Sequence, residues 1–338
     1  MSGLKIGIIG AGYWGPNLVR NFMLQKDVKA IAVADLQEQR RKFISDRYPT
    51  VTTFADAGEL IGDKSFDAVV IATPVDMHFP LAEQALKAGK HVLLEKPMCA
   101  STEECDKLLA LADKNKLTLM VDHTFLYTGA VRRIMQLVKA GELGDILYFD
   151  SVRVNLGLFQ HDVNVIWDLA PHDVSIMDAV IGQKATSVSA VGLSHSNMPI
   201  ENIAYVSVTF AGSAIAHFHV NWLAPVKVRT TLIGGTKKMI VYDDTEMSEK
   251  VKIYEYQGLK IETDVEKIRQ NLVQPRIGDM YAPRIEPTEA LFLVAKEFVD
   301  SIREQRAPLT DGEAGRRVVR ILEAANASLA QGGKPVAV

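Results

Sequence analysis

Short, almost wholly apolar runs alternate with amphipathic stretches through the first third of the chain. Lys5–Ile9, Val28–Ala34, Ala68–Ile71, His91–Leu94 and Thr118–Val121 read as strands. Between them helical stretches are predicted at Gly12–Met23, in an arginine-rich segment through Tyr48, and around Leu81–Ala88. A further helix opens on a capping box, Ser101 with Glu104, and ends near Asn115. Runs that are apolar at every position suit strands buried on both faces. Their alternation with helices predicts a doubly wound parallel α/β sheet. After about Phe125 the rhythm changes. A helix near Ala130–Ala140 leads through Gly141 and Gly144 into a strand at Ile146–Asn155, then a helix at about Pro171–Ile181. Strands follow at Ala185–Gly192, Ala204–Phe210, Ala214–Asn221, Val228–Ile233, Met239–Asp243 and Val251–Tyr256 with few helices between them, which predicts a largely antiparallel sheet. Gln257–Pro287 reads as a loop, and helices at about Thr288–Glu304 and Gly312–Leu329 end the sequence.

The expected domains are residues 1–125, α/β, and residues 126–338, α+β. The length of 338 residues agrees with roughly 150 residues per domain. A net charge of −3 supplies no basic field for nucleic acid or an anionic membrane. No stretch approaches the ~18 apolar residues of a membrane helix. Met1-Ser2-Gly3-Leu4-Lys5 has no signal-peptide layout, and Cys99 and Cys105 fit no zinc or redox spacing. A soluble, cytoplasmic protein is expected.

Gly10-Ala11-Gly12-Tyr13-Trp14-Gly15 is a G-x-G-x-x-G hexad between a strand and a helix. Gly10 permits the tight turn, Gly12 lets backbone amides approach a pyrophosphate, and Gly15 lets the helix pack closely on the sheet. Asp35 ends the second strand, where a carboxylate accepts from ribose hydroxyls and repels a 2′-phosphate. NAD is therefore expected over NADP, although Arg40 and Arg41 follow closely and could take a phosphate. Two further loops leave strand ends: Thr73-Pro74 with His78 beyond, and Glu95-Lys96-Pro97. The first reads equally well as a strand-ending turn, and the second as a solvated loop with a salt bridge.

Together, the hexad, Asp35, Glu95-Lys96-Pro97 and Asp168-x-x-x-His172 resemble the Gfo/Idh/MocA family, relatives of glucose–fructose oxidoreductase and inositol dehydrogenase. The likeness extends to Thr310-Asp311-Gly312, Ala324, Ser328 and Gly332. It implies a Rossmann domain followed by an α+β domain with a large open sheet, whose outer face commonly joins copies into a homodimer or homotetramer. It further implies hydride transfer between nicotinamide and a secondary alcohol of a sugar, cyclitol or nucleotide sugar. By motif, Lys96 is the catalytic lysine, Asp168 and His172 are its partners across the cleft, and the Lys96–Pro97 bond is often cis. Alcohol oxidation needs a base within reach of the hydroxyl, and His172 has the right intrinsic pKa. Lys96 is the alternative base if burial and the nicotinamide charge lower it, and otherwise polarises the oxygen, while Asp168 orients the imidazole or holds a sugar hydroxyl; helix capping is the plainer reading of Asp168 and His172.

The Gly12–Asn17 start and the Trp167–Asp173 run look like members encoded with surface-polysaccharide enzymes, which favours C3 of a UDP-N-acetylhexosamine. An inositol or free-aldose dehydrogenase, a redox-neutral NAD-dependent glycosidase and a non-catalytic sensor are the alternatives. Many relatives carry Asn-Arg after the sixth strand, where this chain has Asp122-His123. Trp167 packs on nicotinamide or substrate, or is a hydrophobic anchor. Arg153, Asn155, Arg276 and Tyr281 could reach substrate, with Arg276 suited to a diphosphate. His217 and His219 share a strand face but have no cysteine or carboxylate pair nearby, so a sheet-face or oligomer contact is expected and no metal.

Overall fold

Five apolar runs, with the short segment Thr52–Phe54 added, become the six parallel strands of the first sheet. The strands are β1 (Leu4–Ile9), β2 (Val28–Ala34), β3 (Thr52–Phe54), β4 (Ala68–Ile71), β5 (His91–Glu95) and β6 (Leu119–Asp122). Their order, β3-β2-β1-β4-β5-β6, is the doubly wound Rossmann order. The core strands are sealed on both faces, since Ile6, Ile8, Val69, Leu93, Met120 and their neighbours are solvent-free. The connecting helices are α1 (Gly15–Met23), α2 (Glu38–Arg47), α3 (Ala57–Gly62), α4 (His78–Lys87) and α5 (Thr102–Asn115). The structure is a computed structural model and describes residues 3–157, 163–195, 200–256 and 277–338. Arg276 and most of the expected 257–287 loop lie outside the described residues.

The chain forms two units, Met1–Thr128 with Thr288–Glu323, and Gly129–Pro287 with Ala324–Val338. The first unit thus includes a late stretch of the sequence as well as the expected N-terminal part up to about residue 125. Helix α8 (Ala290–Glu304) carries an apolar face, Leu291, Val294, Ala295, Phe298, Val299 and Ile302, that is buried. Phe298 meets Phe22 of α1 edge-on at 6.3 Å, and Arg20 pairs with both carboxylate oxygens of Glu289. Thr310, just before α9 (Gly312–Ala330), then bonds the edge of β6 at the backbone of Val121 in both directions. An otherwise exposed strand edge is thereby closed.

In the second unit, helices α6 (Gly129–Lys139) and α7 (Val165–Ile181) accompany a nine-stranded sheet. Its strands are β7 (Ile146–Leu156), β8 (Ala185–Leu193), β9 (Ile203–Phe210), β10 (Ile215–Asn221), β11 (Leu223–Gly235), β12 (Lys238–Asp243), β13 (Val251–Tyr256), β14 (Ile277–Tyr281) and β15 (Val336–Ala337). The order is β14-β13-β12-β11-β7-β10-β9-β8-β15, antiparallel throughout except for β7 with β10. Alternation is strict: Ala216, Phe218 and Val220 of β10 are buried, while Ile215, His217 and His219 face the other way. That second face presents Val191, Leu193, Tyr205 and Ile215 to solvent, with Tyr205 stacked on His219 at 4.5 Å.

Helix α7 begins six residues before the expected Pro171. Asn164 caps it, its side chain accepting from the Trp167 N–H at 3.2 Å, and Pro171 lies inside the helix. The proline removes one backbone donor and was read as a start signal; the asparagine cap outweighs it.

Candidate active site

The glycine hexad is a loop and not the first turn of a helix, which shifts the start of α1 from the expected Gly12 to Gly15. Gly10 has φ +99°, a region that disfavours any side chain, and a Cβ there would lie 2.4 Å from the Ala72 carbonyl. A Cβ on Gly15 would lie 2.4 Å from the Gly10 carbonyl, so helix and loop touch backbone to backbone. Gly12 differs: a Cβ there would meet nothing closer than Arg40 Nη1 at 3.7 Å. The space beside Gly12 is open, and α1 starts with neither a side-chain cap nor an acidic residue in its first turn. Its first amides and its positive dipole end therefore suit a pyrophosphate. Tyr13 is 93% exposed and stacks flat on Trp14.

Asp35 follows β2 and is buried. Its Oδ2 accepts from the Ala11 N–H at 2.7 Å and its Oδ1 from the Gln37 N–H at 2.8 Å, which ties the carboxylate to the glycine loop. Arg40 lies 3.6 Å from Asp35 Oδ2, and Arg41 donates to the carbonyls of Asp35 and Leu36. Of the two arginines considered for a phosphate, Arg41 is thus engaged with backbone and Arg40 stands by the carboxylate.

The loops after β4 and β5 are joined by His78. Its ring nitrogens lie 2.9 Å from the Thr73 carbonyl and 2.9 Å from the Pro97 carbonyl. Burial pulls its pKa below the ordinary histidine value, while the two carbonyls act in the opposite direction. His78, expected on the cofactor, is instead a buried tie between two loops. Thr73 keeps a buried hydroxyl without a partner among the described residues, and Pro74 opens a short turn, Val75–Met77. The Lys96–Pro97 bond is cis, as the resemblance implied.

Glu95 ends β5 in register with Asp122 at the end of β6. Burial, then the neighbouring Asp122, pushes the Glu95 carboxyl well above the usual range. Burial raises Asp122 to about 6 and lowers His123, next in the chain, to about 3. Buried, donor-less oxygens of Glu95 and Asp122 and both ring nitrogens of His123 gather at the strand ends, along with the Thr73 hydroxyl. Such orphans are rare in a folded interior and mark a place that a polar ligand completes. A nicotinamide dinucleotide fits this edge: the hexad and α1 for its phosphates, Asp35 for a ribose, and the Thr73 and Glu95 ends for its other half. Asp122 and His123 were passed over in the sequence as a departure from relatives. The signal was the same one that flagged Glu95-Lys96, polar residues ending a buried strand.

In the second unit, Asp168 lies in the first turn of α7 and His172 one turn on, so their four-residue spacing falls within one helix. Trp222 donates its indole N–H to Asp168 Oδ2 at 2.9 Å, a partner that no local pattern announces. Trp167 is buried, with its indole N–H unpartnered among the described residues. Arg153, expected on substrate, is buried in a two-point pair with Asp173, both bonds 2.7 Å, which anchors α7 to β7. Asn155 is half-buried two residues along the same strand. Tyr281 reaches Glu142 at 3.5 Å, under the Lys238 ammonium. His217 and His219 stack on Tyr205.

Residues 4–123 match the family model described as an oxidoreductase family with an NAD-binding Rossmann fold, and residues 131–241 match the GFO/IDH/MocA C-terminal domain. UDP-N-acetylglucosamine 3-dehydrogenase of Acidithiobacillus ferrooxidans is 26% identical, covering 94% of each chain. The scyllo-inositol 2-dehydrogenase (NADP+) IolW of Bacillus subtilis is 25% identical over 95% of this chain and 92% of its own. The solved structure of the Acidithiobacillus ferrooxidans enzyme superposes with a TM-score of 0.83 at 22% identity, covering 98% of this chain and 99% of that one. The chain belongs to the GFO/IDH/MocA oxidoreductase family and, by that membership, is an NAD(P)-dependent dehydrogenase.

Proposed function

We propose that this dehydrogenase oxidises a secondary alcohol of a nucleotide sugar, C3 of a UDP-N-acetylhexosamine, with NAD as acceptor. The observation that carries the reading is Lys96, set by β5 at the cofactor edge of the Rossmann sheet directly after Glu95. The likeness to UDP-N-acetylglucosamine 3-dehydrogenase along nearly the whole chain supports the substrate class. Asp35 supports NAD, because its buried carboxylate stands where a 2′-phosphate would add like charge.

Bound NAD supplies the hydride acceptor. His172 takes the hydroxyl proton as the carbon loses hydride. Lys96 holds the oxygen as it becomes a carbonyl, where a fixed cation is most effective. Asp168, gripped by Trp222, orients the imidazole or a neighbouring sugar hydroxyl. Apolar residues on the open sheet face, Val191, Leu193, Tyr205 and Ile215, support a homodimer or homotetramer built through that sheet.

The test is NADH formation, followed by absorbance, with UDP-N-acetylglucosamine, its galacto epimer, UDP-glucose, myo-inositol and free hexoses as separate substrates. The expected result is turnover of one nucleotide sugar that Lys96→Ala abolishes. Turnover of a cyclitol or free hexose alone overturns the nucleotide-sugar reading. Light scattering gives the oligomer.

A further inference from the structure

Residues in register on neighbouring strands project to the same side of a sheet, so Glu95 and Asp122 stand side by side. Asp122 is 1% exposed. One oxygen of each carboxyl has an ordinary donor: Glu95 Oε2 the Lys96 N–H at 3.3 Å, and Asp122 Oδ1 the Thr124 hydroxyl at 2.7 Å. The other two, Glu95 Oε1 and Asp122 Oδ2, are buried and find no N–H or O–H donor from any other described residue. The carboxyls are hydrogen-bond neighbours of each other. Two ionised carboxylates cannot bond, and their repulsion in a dry site is severe. A single proton between them removes the repulsion and satisfies the unpaired oxygens. His123 supplies no counter-charge, because burial keeps it neutral and its ring nitrogens lack partners among the described residues. The titratable groups in electrostatic reach are Glu95 at the end of β5 with Lys96 after it, Asp122 at the end of β6 with His123 after it, and Tyr127 from the following turn.

We propose that Glu95 and Asp122 share one proton at neutral pH, so that Lys96 stands beside a pair carrying one negative charge instead of two, and that Asp122 is thereby a positioning residue for the lysine. The role at Lys96 rests on the reading of that residue as the reaction-centre lysine. The shared proton has a further consequence. The pair takes up a second proton near pH 6, well above an ordinary aspartate at ~4, and Lys96 then loses its counter-charge in mildly acid solution.

The experiment uses the full chain, free of cofactor, and infrared difference spectroscopy at neutral pH, wild type against Asp122→Asn and against Glu95→Gln. Each amide donates an N–H to the remaining carboxylate and holds it ionised. The carbonyl stretch of a protonated carboxylic acid is expected in the wild type and lost in both variants, with circular dichroism confirming that both fold. Absence of that band from the wild type, or its survival in either variant, overturns the shared proton. The second readout is oxidised-cofactor affinity against pH, because the nicotinamide ring of NAD+ is a cation and that of NADH is not. Wild-type affinity for NAD+ should fall off below about pH 6, and the limb should move to lower pH in both variants, where an amide N–H stabilises the remaining carboxylate. A limb unmoved in both variants overturns the positioning role. The infrared result is blind to hydride transfer. A chain that shows the band yet forms no NADH keeps the pair and loses the proposed function, and the opposite outcome separates them equally well.

Discussion

The indole N–H of Trp222 is bonded to Asp168 Oδ2 at 2.9 Å, between a residue that follows β10 and the first turn of α7. A hydrogen bond to a charged group contributes about 1.5–3 kcal/mol. Trp222→Phe keeps most of the buried ring and removes the donor, so Asp168 loses its fixed orientation. The expected outcome is a stability loss of about 2 kcal/mol in chemical denaturation and a kcat about tenfold lower, with KM changed less. An unchanged kcat would leave Asp168 no orienting role.

Arg153 and Asp173 form a buried two-point pair, each side chain about 3% exposed. Removing one partner leaves an uncompensated buried charge and costs roughly 3–5 kcal/mol, whereas replacing both with apolar residues often costs little. Arg153→Met and Asp173→Leu should each lower the denaturation midpoint strongly. The double variant should be more stable than either single one, a sign that a substrate-facing arginine would not produce.

The three hexad glycines should separate folding from binding. Gly15→Ala drives a methyl to 2.4 Å from the Gly10 carbonyl and should cost roughly 1–3 kcal/mol of stability. Gly12→Ala meets nothing within 3.7 Å, so thermal melting should be close to wild type. Its methyl instead occupies the approach of the pyrophosphate, and NADH titration should show affinity at least about tenfold weaker. Equal melting losses in the two variants would contradict this division.

His123 and Asp122 make opposite contributions to stability against pH. The His123 pKa falls from 6.5 to about 3 in the folded chain. Its contribution is therefore full above 6.5 and is lost as pH falls toward 3. The Asp122 pKa rises from 3.8 to about 6, so its contribution is full below 3.8 and is lost as pH rises through 6. Over the shared window the two largely cancel in the wild type. His123→Gln should gain on the wild type by about 3 kcal/mol between pH 7 and pH 4, and Asp122→Asn should gain in the other direction. Denaturation curves across that range would show parallel profiles if neither group is buried in solution.

The Rossmann half was legible because its information is local. Apolar runs marked the strands, and half of the predicted capping box is present: Ser101 Oγ accepts from the Glu104 N–H, while the Glu104 carboxylate accepts from the Ala100 N–H, one residue before the cap. Strand β3 and helix α3 escaped because three and six residues are too short to display a period. Contacts between distant residues were not legible at all. Arg153 is expected from the sequence to reach substrate, since Asp173 lies across a helix and a strand from it. The Trp222 contact with Asp168 had no sequence signal at all. The return of Thr288–Glu323 to the first unit depends on Phe298 meeting Phe22, a pairing that periodicity on either helix leaves open.

His78 clasps the carbonyls of Thr73 and Pro97 with its two ring nitrogens. The segment proposed to border the cofactor and the segment that carries Lys96 are thus not separate modules open to redesign one at a time. A substitution chosen to retune cofactor preference near Thr73 will also be felt at the lysine. Its effect will depend on what already stands at Pro97 and Met98, and combinations across the two segments will depart from the sum of their parts.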